Sequence, residues 1–243
     1  MTNKTHRPTG YVLYENANIV AIATLETENP KTGNMVQIWL LPRDIDPATA
    51  VKTGQDDIVC FDCPARGEYC YVNVWQAPLS VWRAYQRGNY PVLSSDGYRA
   101  VFAGRKIRFG AYGEPILLPL LMVAQLAEVS DGWTGYTHQW RRPEYRAYRH
   151  YFMASCETAE DYMQAIRAGW RTFRVRTADQ PLMAHEIACP ASDEMQHRTT
   201  CENCRLCDGS TGANDARKDI AIIVHGRGSK NFVSLGALMA PVK

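Results

Sequence analysis

Seven of the chain's eight cysteines fall into two groups whose spacing suits a soft metal. Cys60, Cys63 and Cys70 form a C-x2-C-x6-C triplet, and Cys189, Cys201, Cys204 and Cys207 form a C-x11-C-x2-C-x2-C quartet. A turn of two intervening residues aims neighbouring thiolates at one centre. Four sulfurs close a tetrahedral zinc site or hold a whole iron–sulfur cluster, so the quartet reads as a zinc or iron–sulfur site. Three sulfurs can hold a four-iron cluster and leave one iron open to a small molecule, which suits chemistry better than scaffolding. Cys156 stands apart, either a nucleophile or hydrogen-atom donor or a small buried residue.

Composition argues for reduced thiols rather than a disulfide framework. The chain has 243 residues, 46% of them hydrophobic, enough to build a core without covalent staples. Its first residues hold no apolar run of signal-peptide length, and no stretch reaches the roughly 18 apolar residues of a membrane span. The expectation is a cytoplasmic protein that stays out of the membrane. A net charge of +2 is small for a protein that grips nucleic acid by charge alone. Arginines do gather among aromatics at 140–149 and 167–176. Such stretches either hold phosphates and stack bases or form a solvated helix face. A zinc-stabilised module that interacts with nucleic acid is therefore the non-enzymatic alternative.

The elements that must position these residues read as a β-rich start followed by strand–helix alternation. Strands are expected at 18–24 and 35–41, joined as a hairpin across a turn-rich segment, with 42–57 a loop. Further strands are expected at 70–74, 105–110, 132–138, 150–155, 171–176, 184–189 and 219–225. Helices are expected at 79–86, 115–129, 144–148 and 157–169. Repeated β-α units imply parallel strands with right-handed crossovers, too few here for a closed eight-fold barrel. The predicted fold is α/β: a partial, TIM-like β/α barrel with an N-terminal β-hairpin and a C-terminal cysteine-rich metal-binding segment. It makes one domain over 1–243, with a β-rich segment at 1–57, a β/α core at 58–188 and the quartet plus the last strand at 189–243. Active sites of such folds gather at the carboxyl ends of the strands. His138, Cys156 and His225 are placed there. His138 is a candidate general acid or base, because imidazole titrates near neutrality, and Cys156 is the second catalytic candidate. The sequence from His225 to Ser229 reads as an anion-binding turn.

One β-α unit beyond the triplet, a strand runs into Tyr112-Gly113-Glu114-Pro115. A cysteine triplet with an aromatic before its last member, followed by a strand ending in Gly-Glu-Pro, resembles the radical S-adenosylmethionine (SAM) superfamily. It is similar in particular to uncharacterised bacteriophage members with atypical cysteine spacing, whose compartment would be the host cytoplasm. The usual spacing is C-x3-C-x2-C, and Tyr112 stands where the usual motif has its first glycine. The resemblance implies a partial α/β barrel, a [4Fe–4S] cluster on Cys60, Cys63 and Cys70, and SAM bound through Gly113, Glu114 and Pro115. It implies hydrogen abstraction from a substrate, with a nucleoside, nucleic acid or peptide all open. A second resemblance, to tRNA-guanine transglycosylase-like base-exchange barrels, rests on the order of the strand features, the late cysteines and His225. There Arg174 occupies the strand-end place of that family's aspartate nucleophile.

Overall fold

A hairpin extended by one strand begins the chain. The computed structural model describes residues 7–232. β1 (Gly10–Glu15) pairs antiparallel with β2 (Ile19–Thr24), and β2 with β3 (Val36–Pro42). The expected hairpin is present, and β1 is an addition. β3 then pairs in parallel with β4 (Ile107–Tyr112), and β4 with β5 (Trp133–Thr134). The β-rich start and the β/α region therefore share one mixed five-stranded sheet.

A second five-stranded sheet is parallel throughout. Its order is β6 (Tyr136–Thr137), β7 (Met153–Cys156), β8 (Thr172–Arg176), β10 (Asp219–Ile223) and β9 (Glu186–Ala188). Only Gly135 separates β5 from β6, so one stretch of chain is an edge of both sheets. Phe152 packs where a Cβ on Gly135 would lie, 2.6 Å away, which excludes any larger residue at the junction.

Helices cover one face from β4 onward, whereas the other face of β2 and β3 is also packed, Ile22, Trp39 and Leu41 clustering with Ala48, Val59 and Val81. On the first face, Ile38, Leu40, Ile107, Phe109, Ala154 and Cys156 are buried beneath Phe102, Val123 and Leu126. The helix Ala159–Arg167 starts with a full capping box, Thr158 accepting from Asp161 while Asp161 accepts from the Thr158 backbone. Arg174 on β8 reaches across the small Ala221 of β10 to a two-point ion pair with Glu186 of β9, at 2.8 and 2.6 Å.

Several expected elements differ. Residues 42–57 are not a loop throughout: Asp46 caps the helix Pro47–Thr53, Pro47 sits at its start and left-handed Gly54 ends it, and a one-turn helix Asp57–Cys60 follows. Residues 70–74 form no strand and have no ladder partner. The helix expected over 115–129 is a short 3-10 turn, Pro115–Leu117, then an α-helix Leu120–Val129, because Pro119 disfavours helical geometry at the residue before it. Residues 143–150 are 3-10 rather than α-helical, and a helix Tyr98–Phe102 is an addition. Among the described residues, no helix is long and apolar enough to cross a membrane. Residues 233–243 of the expected C-terminal segment lie outside the described ones.

Candidate functional site

The face of the strands turned away from the helices bounds a cavity of about 400 Å³, within the usual range for small-molecule sites. Its wall follows the two-residue period of successive strands. β4 gives Arg108, Gly110 and Tyr112, and the next strand segment gives Thr134, Tyr136 and His138. Ser155 and Glu157 follow from the β7 end, then Phe173 and Val175 from β8, and Ile220 and Ile222 from β10. All seven grouped cysteines line this one cavity, although the two groups are more than 110 residues apart in sequence.

The triplet and the Gly-Glu-Pro turn are packed against each other. Cys60 ends the one-turn helix after β3, and the Glu114 amide donates to the Val59 carbonyl at 2.7 Å. Gly113 has φ +78, and a Cβ there would meet Leu40 O at 2.6 Å. Only glycine allows this turn to lie so close to β3. Glu114 is buried and fully engaged. The Thr137 hydroxyl donates to its Oε2 at 2.6 Å, and the His138 amide donates to Oε1 at 3.0 Å. Gly113 and Glu114 line the cavity, while Pro115 is buried behind them.

His138 is held between two carboxylates. Its Nε2 lies 2.9 Å from Glu157 Oε1 and 4.0 Å from Cys63 Sγ, and its Nδ1 lies 3.3 Å from Glu114 Oε1. Burial opposes charge on the ring, but Cys63, Glu157 and Glu114 outweigh it and push its pKa well above the usual imidazole value. The arrangement favours an imidazolium that braces the triplet end. Cys156 goes the other way. Its thiol is buried in the helix-covered core, 3.6 Å from Ala154 O, while its neighbours Ser155 and Glu157 face the cavity.

Both cysteine groups contain a one-turn helix, but the turns that follow differ, with ψ −131 at Phe61 and +20 at Arg205. Cys60 and Cys204 each end a single helical turn, and each is followed by a non-glycine residue at positive φ, Phe61 (+51) and Arg205 (+54). That residue folds the chain back before the next cysteine, at a cost of about 1–3 kcal/mol that the surroundings must offset. Around the triplet, Asp62 accepts from Gln139 at 2.6 Å and pairs with Arg142 at 3.2 Å, tying the loop to the His138 segment. Around the quartet, Arg171 donates to Leu206 O, Gly209 O and Lys218 O, and Arg217 bridges Asp208 and Asp215 at 2.6 Å each.

All eight thiols are free. Burial, then the neighbouring Cys63 and Asp56, push Cys60 well above the usual thiol value, and burial with Cys189 and Cys201 does the same to Cys207. These thiols are protonated without a metal, so binding one releases protons. As placed, no three His, Cys, Asp or Glu side chains among the described residues stand close enough to hold a metal ion. The donor types gathered around the cavity are those that a soft metal takes.

Three expectations outside the cysteines resolve differently. The expected anion-binding turn packs on the triplet loop: a Cβ on Gly226 would meet Tyr71 at 3.0 Å, and one on Gly228 would meet Glu68 O at 2.4 Å. His225 stacks on Tyr71 with ring centroids 5.5 Å apart. The end of the second arginine stretch is committed inside the molecule, while Arg141, Arg146 and Arg167 are exposed. Arg141 pairs with Asp161 and covers Trp140, and Arg174 and Arg176 are buried against Glu186 and Glu194. The site also gains residues that the sequence reading passed over. In sequence Glu157 reads as a helix start and Arg108 as an ordinary strand residue. The signal for Arg108 was a charged residue between Ile107 and Phe109 in an otherwise apolar alternation. Comparison of the chain with protein-family models, with curated proteins and with solved structures finds no match.

Proposed function

We propose that the protein is a radical SAM-like iron–sulfur enzyme whose two sheets form a partial β/α barrel around the cavity. One observation carries the reading. The cysteine triplet follows β3, Gly113-Glu114 ends the adjacent parallel strand β4, and a direct backbone hydrogen bond joins them at the cavity wall. This juxtaposition supports an open metal centre beside a turn suited to a small molecule with an amino group. Cys60, Cys63 and Cys70 would hold a [4Fe–4S] cluster, and Gly113 and Glu114 would hold SAM. When bound, the pair supplies one-electron chemistry that ends in removal of hydrogen from a substrate. The chain's own residues do the rest. His138 and Thr137 fix the Glu114 carboxylate, and the apolar wall of Phe173, Val175, Ile220 and Ile222 keeps water from the reacting space. The quartet would hold zinc or a second cluster.

Chemical reduction of the iron-loaded protein with SAM should release methionine, measured by mass spectrometry. Full iron loading with no methionine release would sink this reading. Glu114→Gln should weaken SAM binding about tenfold while iron content stays constant. An unchanged affinity would remove Glu114 from the site.

A zinc-only module that binds nucleic acid is the second reading, favoured by the C-x2-C spacing common to both cysteine groups. Its arginine surface is reduced by the internal pairing of Arg174 and Arg176.

A further inference from the structure

The cavity has a cationic end with no carboxylate partner, its nearest potential anions being the quartet thiols, Cys201 foremost. Arg108 is 9% exposed and lines the cavity, yet its guanidinium makes one hydrogen bond, to the Tyr71 hydroxyl at 2.7 Å, and no ion pair among the described residues. Its Nε has no partner. Thr134, its register neighbour on the parallel strand β5, is 2% exposed and its hydroxyl is unpartnered too. Lys31 adds a second positive charge to the same wall. The cavity's two glutamates, Glu114 and Glu157, are both bound to His138 beyond the other end of β4. A buried charge without a partner costs several kcal/mol, and most buried polar groups are satisfied. An arginine and a hydroxyl left open side by side in a ligand-sized cavity are therefore complementary to something that enters it.

We propose that Arg108, with Thr134, anchors the anionic group of the substrate, a carboxylate or phosphate carried on an apolar body. Arginine's fork matches both anions, and the opposite wall of Phe173, Val175, Ile220 and Ile222 gives the body a dry surface. Tyr71 is half exposed, holds Arg108 and stacks on His225, so the anchor lies next to an accessible edge of the cavity. SAM's own carboxylate is a different claimant. It would have to reach Arg108 from the Glu114 end, the full length of β4 away. Calling the bound anion a substrate rests on the proposed function; the anion site itself does not.

The test uses the full-length, metal-loaded protein, with phenyl phosphate and benzoate as probes, benzamide as the uncharged match, and SAM as a separate ligand. Calorimetry should show both anions binding the wild type at least tenfold more tightly than benzamide. Arg108→Met should lose about tenfold or more for the anions and nothing for benzamide, with metal content unchanged. Without ligand, this variant should melt no lower than the wild type, because it removes an unpaired buried charge. Arg108→Lys should recover part of the anion affinity and serves as the second variant if the methionine form does not fold. Equal anion binding by wild type and Arg108→Met, or no preference for the anions over benzamide, overturns the anchor. So does loss of the SAM response in Arg108→Met with aryl anions still bound, which would give the arginine to SAM. Lost quartet metal in that variant overturns it as well, by making Arg108 a support for the thiolates. A protein that binds aryl anions through Arg108 but never responds to SAM keeps the anion site and sinks the radical reading.

Discussion

The two cysteine groups each contain a one-turn helix and differ in what surrounds it. At the quartet, Cys189 and Cys207 are buried, and the chain just after Cys207 is clamped by Arg171 and Arg217 through carbonyls and carboxylates. At the triplet, Cys70 is exposed, Cys63 faces His138, and the neighbouring carboxylates lie beside an open cavity. Both groups line the cavity, but the quartet's loop is clamped by arginines while the triplet has an imidazole and carboxylates beside it. Spacing alone makes the quartet the stronger metal signal. Surroundings make the triplet the better candidate for chemistry, because a closed four-ligand site has no position to offer a substrate.

If that contrast is right, damage to the two groups should separate stability from function. Cys207→Ser should have the largest effect, since a structural metal contributes folding energy directly: a loss of more than about 5 kcal/mol, or no soluble protein, by urea denaturation. A stable Cys207→Ser variant would erase the distinction. Arg171→Met comes next. It leaves the Leu206 and Lys218 carbonyls without their arginine donor and should cost about 2–4 kcal/mol in the same assay.

Arg217→Met should be milder and dependent on pH. Arg217 holds the Asp215 carboxyl below its ordinary value, first through their hydrogen bond and then through backbone amides and charge that outweigh burial. A depressed carboxylate stabilises the fold above its unfolded pKa, about 3.9, and loses that contribution as pH falls through the folded value. The stability gap between wild type and Arg217→Met should therefore be about 1–2 kcal/mol at neutral pH and shrink below about pH 4. A gap independent of pH would mean that the arginine acts by packing alone. The smallest effect on stability should come from Cys70→Ala, less than about 1 kcal/mol, because Cys70 is exposed. The same variant should lose the iron bound at the triplet, so iron content and denaturation midpoint should part company.

Much of the strand order was legible because it rests on short apolar runs closed by Gly and Pro, as at β3, β8 and β10. The paired placement of Gly113-Glu114 after a strand was legible for the same reason. The helix Pro47–Thr53 was missed although its Asp-Pro start and Gly end are present, because its exposed face made the segment look like a loop. The opposite facing of Cys156 and Glu157 follows from strand parity, but parity needs a register that one sequence does not supply. The union of both cysteine groups around one cavity depends on β9 and β10 folding back beside β8, a long-range pairing with no local signature. Arg108 is the clearest case. Its charge looked ordinary in sequence, and only the absence of a buried partner marks it.

The central claim is that the triplet is an open iron–sulfur centre and the quartet a closed metal site. Anaerobic purification followed by iron, sulfide and zinc analysis, with visible spectra before and after SAM, tests it most directly. The account predicts about four irons and four sulfides at the triplet, lost in Cys70→Ala, and a spectrum that changes when SAM is added. Two zinc ions per chain, no sulfide and a colourless protein indifferent to SAM would contradict it.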